Sequence, residues 1–252
     1  PLVDWDNIHC SHEARAALRN NNSNTKVVSS IFARLKQWAL RNEQTAKVRL
    51  RDQQEYEYQL QPLTEYNPVK GQPIQIGKDY PQLDPIEVYA WFLGMTINWR
   101  ERGIFLNYYL TFPVKYSNEV KARILAAFRR GLQRSLPESL IYDERFNEFS
   151  VEELASEPAA FAAAALERLE IEPDDGGVCY AVFDFGGGTT DFDYGFYRNP
   201  NDDEHDEGWD HVIEHFGSSG DQFLGGENLL ENLAYLVFQA NSSECNKKKI
   251  AF

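Results

Sequence analysis

At 252 residues, with 42% hydrophobic and 13% aromatic content, the chain is long enough to pack one large or two modest domains. A formal net charge of -14 argues against a general nucleic-acid or anionic-membrane partner. No apolar run approaches the roughly twenty residues of a membrane span, and the separated Cys10, Cys179 and Cys245 form neither a zinc spacing nor a disulfide framework. The N-terminus has no basic or apolar leader, so cytoplasmic is the default expectation. Because the chain starts at Pro1 without a methionine, a processed product or a piece of something longer is expected.

Residues 1–24 read as a polar loop ending in NNNSN. Thr25–Leu40 places Val28, Ile31, Phe32 and Leu35 on one face and predicts a core-facing helix. Lys47–Leu60 and Ile74–Ile76 predict short strands, with Pro68–Pro73 as the turn between them. A clearer helix starts at Asp84, where an N-cap aspartate, Pro85 and Glu87 form a capping arrangement, and it ends at Gly103. Ile104–Pro113, IFLNYYLTFP, reads as a central strand, and Ser117 caps a helix that buries Val120, Ile124, Phe128 and Leu132. A polar insertion, IYDERFNEFSVEEL, precedes SEPAAFAAA, in which Pro158 suits a first helical turn and Glu157 carries a charge favoured at a helix N-terminus.

The densest chemistry lies in Val178–Asp191, VCYAVFDFGGGTTD. The run up to Phe183 has no charged side chain and predicts a strand buried on both faces, with Asp184 at its end. Three glycines then allow close backbone approach, successive N–H groups can cradle an anion, and Thr189 and Thr190 add hydroxyls. The same residues also suit an ordinary two-residue hairpin turn. Phe192, Tyr194 and Phe196 alternate with Asp193, Gly195 and Tyr197 as in an outgoing strand, and the acidic Asn199–Gly208 reads as a solvated loop. WDHVIEHF predicts a third strand. The second glycine turn, GDQFLGGEN, opens a helix with Leu230, Leu233, Leu236 and Val237 on one face, and the last residues look frayed.

DFGGGTTD followed by GD-x-x-LGGEN resembles the second lobe of the actin-like ATPases, most closely the seventy-kilodalton heat-shock chaperone family. That family has D-L-G-G-G-T-F-D and then G-D-x-x-L-G-G-E-D. SEPAAFAAA is similar to the family's N-E-P-T-A-A-A, with Ala159 in place of its threonine, and TFPVKY to its V-P-A-Y-F. The resemblance covers roughly 84–241. It implies an α/β, ribonuclease H-like fold with mixed sheets, with 1–170 as first-lobe portion and 171–252 as the start of the second lobe. It implies ATP and magnesium as cofactors. Asp184 holds the metal through water, Glu157 positions the nucleophile, and Thr189 and the N–H groups of Gly186, Gly187 and Gly188 stabilise the transferred phosphoryl. Thr190, Gly225, Gly226 and Glu227 complete the nucleotide contacts, Asp191 is structural, and a protein client or partner domain receives the signal.

The family's first phosphate loop and its adenosine-binding stretch are missing, so the chain reads as the middle of a larger protein, expected to bind ATP weakly by itself. No P-loop or dinucleotide fingerprint is present. A filament-forming actin relative and a catalytically silent interaction module on the same scaffold stay open as alternatives.

Overall fold

The structure, a computed structural model, describes residues 9–41, 48–55, 57–60, 82–173 and 176–250. It is a mixed α/β protein with small sheets. Its chain divides into two compact units, one of Pro1–Leu110 with Ser117–Glu153, the other of Thr111–Tyr116 with Leu154–Phe252. The second unit therefore takes in residues well before 171.

Unit 1 opens with α1 (Ser11–Asn20), α2 (Thr25–Ser29) and α3 (Leu35–Arg41). The expected loop over 1–24 is thus partly a helix, α1, which buries none of its residues. The helix expected over Thr25–Leu40 is broken: Arg34 takes a φ of 66°, which a right-handed helix cannot propagate, and Val27 rather than Val28 is buried. β1 (Val48–Arg51) and β2 (Glu57–Leu60) pair antiparallel, and β3 (Gln82–Leu83) joins β2 in parallel. The expected strand Lys47–Leu60 is therefore two strands and a turn. The strand expected at Ile74–Ile76 and the turn before it lie outside the described residues.

α4 (Pro85–Glu101) starts as the sequence predicts, with Asp84 Oδ1 accepting the N–H groups of Ile86 at 3.0 Å and Glu87 at 3.4 Å. β4 (Asn107–Phe112) follows, then α5 (Asn118–Ser135), whose first turn is capped by Ser117 Oγ accepting the Val120 N–H at 3.3 Å. The two helices pack so closely that a Cβ at Gly131 would lie 2.2 Å from the Glu87 carbonyl oxygen. Glu87 is 1% exposed, and its carboxylate accepts from Arg130 Nε and Arg134 Nε at 2.8 Å, while Arg130 also reaches Asp84 at 3.1 Å. A residue that the sequence offered as part of a cap is thus the centre of a buried ion network. Burial pushes the Asp84 carboxyl up to about 6 against the pull of Arg130.

After α6 (Glu138–Ile141) and a 3-10 helix (Glu144–Glu148), β5 (Ser150–Ser156) pairs with β4 in a two-stranded sheet. Among the described residues β4 is therefore not a central strand, and the polar insertion supplies its only partner. Val151 is fully buried in the core beside Ala90 and Leu132.

Unit 2 sets α7 (Glu157–Arg168) against the antiparallel meander β6 (Val178–Phe185), β7 (Thr190–Arg198) and β8 (Val212–Asp221), with β7 in the middle. The β7–β8 connection holds α8 (Asp202–Asp206), closed by a reciprocal capping box between Asn201 and Glu204. The chain continues into α9 (Gly226–Ala240) and α10 (Ser242–Lys247), so the expected frayed end is largely helical. The polarity of the sheet is inverted relative to the usual strand: β7 buries Asp191, Asp193 and Tyr197 and exposes Phe192 and Tyr194. β6 alternates half-buried Val178, Tyr180 and Val182 with exposed Cys179, Ala181 and Phe183. The expectation of two buried faces is corrected, because an uncharged run tells what a strand can bury, not how many neighbours arrive to bury it.

Candidate functional site

The β6–β7 hairpin closes through its last pair, Phe185 opposite Thr190, and through the Gly186 N–H donating to the Thr189 carbonyl at 2.9 Å. Locally this is the hairpin turn that the glycines also allowed. One pair further in, Asp184 and Asp191 stand opposite each other on the same face. Asp184 is exposed, which corrects the expectation of a buried carboxylate at the strand's end. Asp191 is 1% exposed; its Oδ1 accepts the Val114 N–H at 2.8 Å, tying β7 to the TFPV stretch, and its Oδ2 meets no hydrogen-bond donor among the described residues.

Glu157 is the first residue of α7, behind the Ser156 cap whose Oγ accepts the Ala159 N–H at 3.3 Å. Its charge reaches the same neighbourhood. Burial first, then the carboxylates of Glu157 and Asp191, hold the Tyr116 phenol above its ordinary range. Thr189 is buried, and the Thr190 hydroxyl donates to the Leu224 carbonyl at 2.5 Å, so it clasps the second turn.

That second turn is built by Asp221 Oδ1 accepting the Phe223 N–H at 2.8 Å and by Gln222 Nε2 donating to the Lys115 carbonyl at 2.5 Å. It delivers the start of α9 onto the first turn: the Gly226 N–H donates to the Gly186 carbonyl at 2.9 Å and the Glu227 N–H to the Gly187 carbonyl at 2.8 Å. Side chains are excluded where the two backbones meet, since a Cβ at Gly225 would lie 2.5 Å from both the Gly187 oxygen and the Gly188 nitrogen. The first amides of α9 thus serve the hairpin's carbonyls and are not turned to a ligand. The N–H groups of Gly187 and Gly188 donate to nothing among the described residues. The structure therefore brings together Asp184, Gly186–Thr190 and Gly225–Glu227, with Glu157 approaching through Tyr116 and Asp191.

A cluster not expected from the sequence lies deeper on the same face of the sheet. Asp193 is fully buried, the Tyr180 hydroxyl donates to its Oδ1 at 3.0 Å, and His215 Nδ1 stands 2.9 Å from its Oδ2. Burial, with the hydrogen bond and charge of Asp193, pushes the Tyr180 phenol up to about 12. The available signal was the pair of aspartates two residues apart in a strand whose other face is aromatic. The acidic loop is likewise organised: Arg198 binds Glu204 at 2.7 Å and Glu214 at 2.5 Å.

Among the described residues no three of His, Cys, Asp and Glu come close enough to hold a metal ion directly, and no helix is long and apolar enough to cross a membrane. In comparisons with known proteins, no family model and no curated protein matches the chain.

Proposed function

We propose that the paired glycine turns bind the phosphates of ATP as part of an actin-like, heat-shock-chaperone-type nucleotide site. The observation that carries this reading is the docking of the two turns on each other, with Gly187 and Gly188 amides left over and two carboxylates facing across the hairpin's end. The fit to magnesium rests on the orphaned Asp191 Oδ2 and the exposed Asp184. Buried carboxylate oxygens without donors are costly unless a cation or its water shell approaches. Magnesium is commonly held by one or two carboxylates, waters and the substrate phosphates. Bound with the nucleotide, it neutralises phosphate charge.

In this reading Asp184 would hold the metal through water, Glu157 would position the attacking water, and the Gly187 and Gly188 amides would stabilise charge on the transferred phosphoryl. Thr189 lines the turn from its buried side. Amide-resolved NMR with magnesium and ATP at millimolar concentration tests it. Shifts concentrated at Gly186–Thr190, absent with AMP and reduced by Asp184→Asn, are expected. Undisturbed amides there, or equal shifts with AMP, overturn it. If the turn binds but no phosphate is released over hours, the silent-module alternative holds, which the engagement of the first α9 amides within the protein favours.

A further inference from the structure

Asp193 is a buried carboxylate with few partners. It is 0% exposed, and the Tyr180 hydroxyl, 3.0 Å from Oδ1, is its hydrogen-bond donor among the described residues. Oδ2 accepts no hydrogen bond there: His215 Nδ1 stands 2.9 Å away, but not along a hydrogen-bonding direction. No lysine or arginine pairs with Asp193 among the described residues. A buried carboxylate oxygen in this state is costly unless a cation approaches it.

Two local devices bring these three side chains together. In the register of the sheet, Gly195 stands opposite both Tyr180 on β6 and His215 on β8, so all three share the face that carries Asp193. A Cβ at Gly195 would lie 2.7 Å from the Tyr180 hydroxyl, so the missing side chain is what lets the phenol lean across to Asp193. On β8 the pairing steps from Gly217 opposite Tyr194 to His215 opposite Gly195, passing over Phe216. Without that bulge His215 would fall opposite Phe196, on the other face of the sheet. Phe216, the residue passed over, stacks on Phe196.

We propose that Asp193 Oδ2 and His215 Nδ1 are the two protein ligands of a divalent transition-metal ion, with Tyr180 as the residue that orients the carboxylate. Two ligand atoms 2.9 Å apart, each bonded to a metal at about 2.1 Å, subtend an angle of about 90°. That is the cis angle of tetragonal and octahedral centres, and a nitrogen–oxygen pair at this angle suits nickel(II) or copper(II) over tetrahedral zinc. Ligating carboxylates are themselves hydrogen-bonded, which is the part Tyr180 takes. Burial, then the hydrogen bond and charge of Asp193, push its phenol up to about 12, so it stays a donor. Among the described residues no third His, Cys, Asp or Glu joins the pair. Water therefore fills the remaining positions from the side of His215, whose side chain is 48% exposed. Asp184, Glu157 and the glycine turns take no part, so the site stands independently of the nucleotide reading.

The test is a titration of the intact chain with nickel chloride, without nucleotide, followed by calorimetry and by amide-resolved NMR, in which the paramagnetic ion broadens signals near its site. One saturable site is expected, with broadening centred on Asp193 and His215 and undiminished by excess magnesium. His215→Gln, at an exposed position, is expected to weaken binding at least tenfold with the fold intact, and Asp193→Asn to do the same; if the buried variant does not fold, His215→Gln decides alone. Tyr180→Phe, which removes only the orienting hydrogen bond, is expected to weaken binding about tenfold. Asp184→Asn, which removes the carboxylate proposed for magnesium, is expected to leave nickel affinity unchanged, as is His205→Gln in the acidic loop. Unchanged affinity in His215→Gln overturns the proposal, as does broadening centred on the Asp184 hairpin end, on His9 and His12 or on the acidic loop. No saturable binding at millimolar nickel also overturns it and leaves Asp193 and His215 a plain ion pair.

Discussion

Unit 1 seals an ion network between α4 and α5, whereas unit 2 buries aspartates in its sheet and turns aromatic side chains of its strands outward. Glu87 between Arg130 and Arg134 shows the first habit; Asp191 and Asp193 beneath an exposed Phe192 and Tyr194 show the second. The difference teaches where each unit's stability resides. In unit 1 it lies in the α4–α5 interface, where side chains and ion pairs are sealed together. In unit 2 backbone pairing and buried polar contacts stand beside a smaller buried apolar set, Ala162, Leu166 and Tyr197 among it, while Phe183, Phe192 and Tyr194 are exposed.

The contrast is broken most severely at Glu87. Removing one partner of a buried ion pair strands the other, which costs about 3–5 kcal/mol. Glu87→Ala leaves Arg134, with its side chain 1% exposed, without its 2.8 Å carboxylate contact. Denaturant unfolding followed by tryptophan fluorescence, with Trp91 in the core of α4, is expected to show unit 1 largely unfolded before unit 2. An unchanged midpoint means that the network is not what holds the helices.

Acid sharpens the comparison. The folded Asp84 carboxyl, held at about 6, takes up a proton more readily than its ordinary value of 3.8 allows in the unfolded chain. The folded state therefore binds more protons between those values. The contribution is fully present below about 4 and is lost as pH rises through about 6, on the order of 2–3 kcal/mol in all. Asp84→Asn, which preserves a good N-cap, is expected to flatten that part of the stability profile. A profile that rises with pH over the same interval in the wild type alone reverses the sign and refutes the assignment.

A smaller effect is expected in unit 2 at Gly225. Alanine there forces a methyl group within 2.5 Å of the Gly187 oxygen and Gly188 nitrogen, so the two glycine turns must separate. Overpacking of this kind costs about 1–3 kcal/mol. Loss of hydrogen-exchange protection at Gly226 and Glu227, with the meander's own amides unchanged, is the expected signature.

What the sequence revealed was local. The Asp84 and Ser117 caps, the β6–β7 hairpin and the helix after LGGEN follow from residues within a few positions of each other. What it hid was set by long-range contact. Glu87 looks like part of a cap until α5 delivers Arg130 and Arg134, more than 40 residues later, to the same place. The strand in the polar insertion is defined by pairing with β4, and its burial pattern exposes three successive residues, so no alternation marked it. Gly186–Thr190 and Gly225–Glu227 were each legible as glycine turns. The consumption of the first α9 amides by the hairpin's own carbonyls was not, because only three-dimensional proximity creates it.

The smallest expected effect is the most diagnostic. Leu233 and Leu236 lie on α9 and are 59% and 60% exposed, whereas Leu132 on α5 is 2% exposed. Truncating a buried leucine to alanine costs about 2–5 kcal/mol through lost transfer energy and the cavity left behind. An exposed leucine forfeits neither, so Leu233→Ser with Leu236→Ser is expected to change stability by about 0.5 kcal/mol or less. The comparison with Leu132→Ala, by denaturant unfolding at several protein concentrations, separates two meanings of that open face. A small, concentration-independent change for the α9 pair means that the face is uncovered in solution and free to receive a partner. A cost approaching that of Leu132→Ala, growing with protein concentration, means that the leucines are already buried against another copy, and the contrast between a sealed unit and an open one disappears.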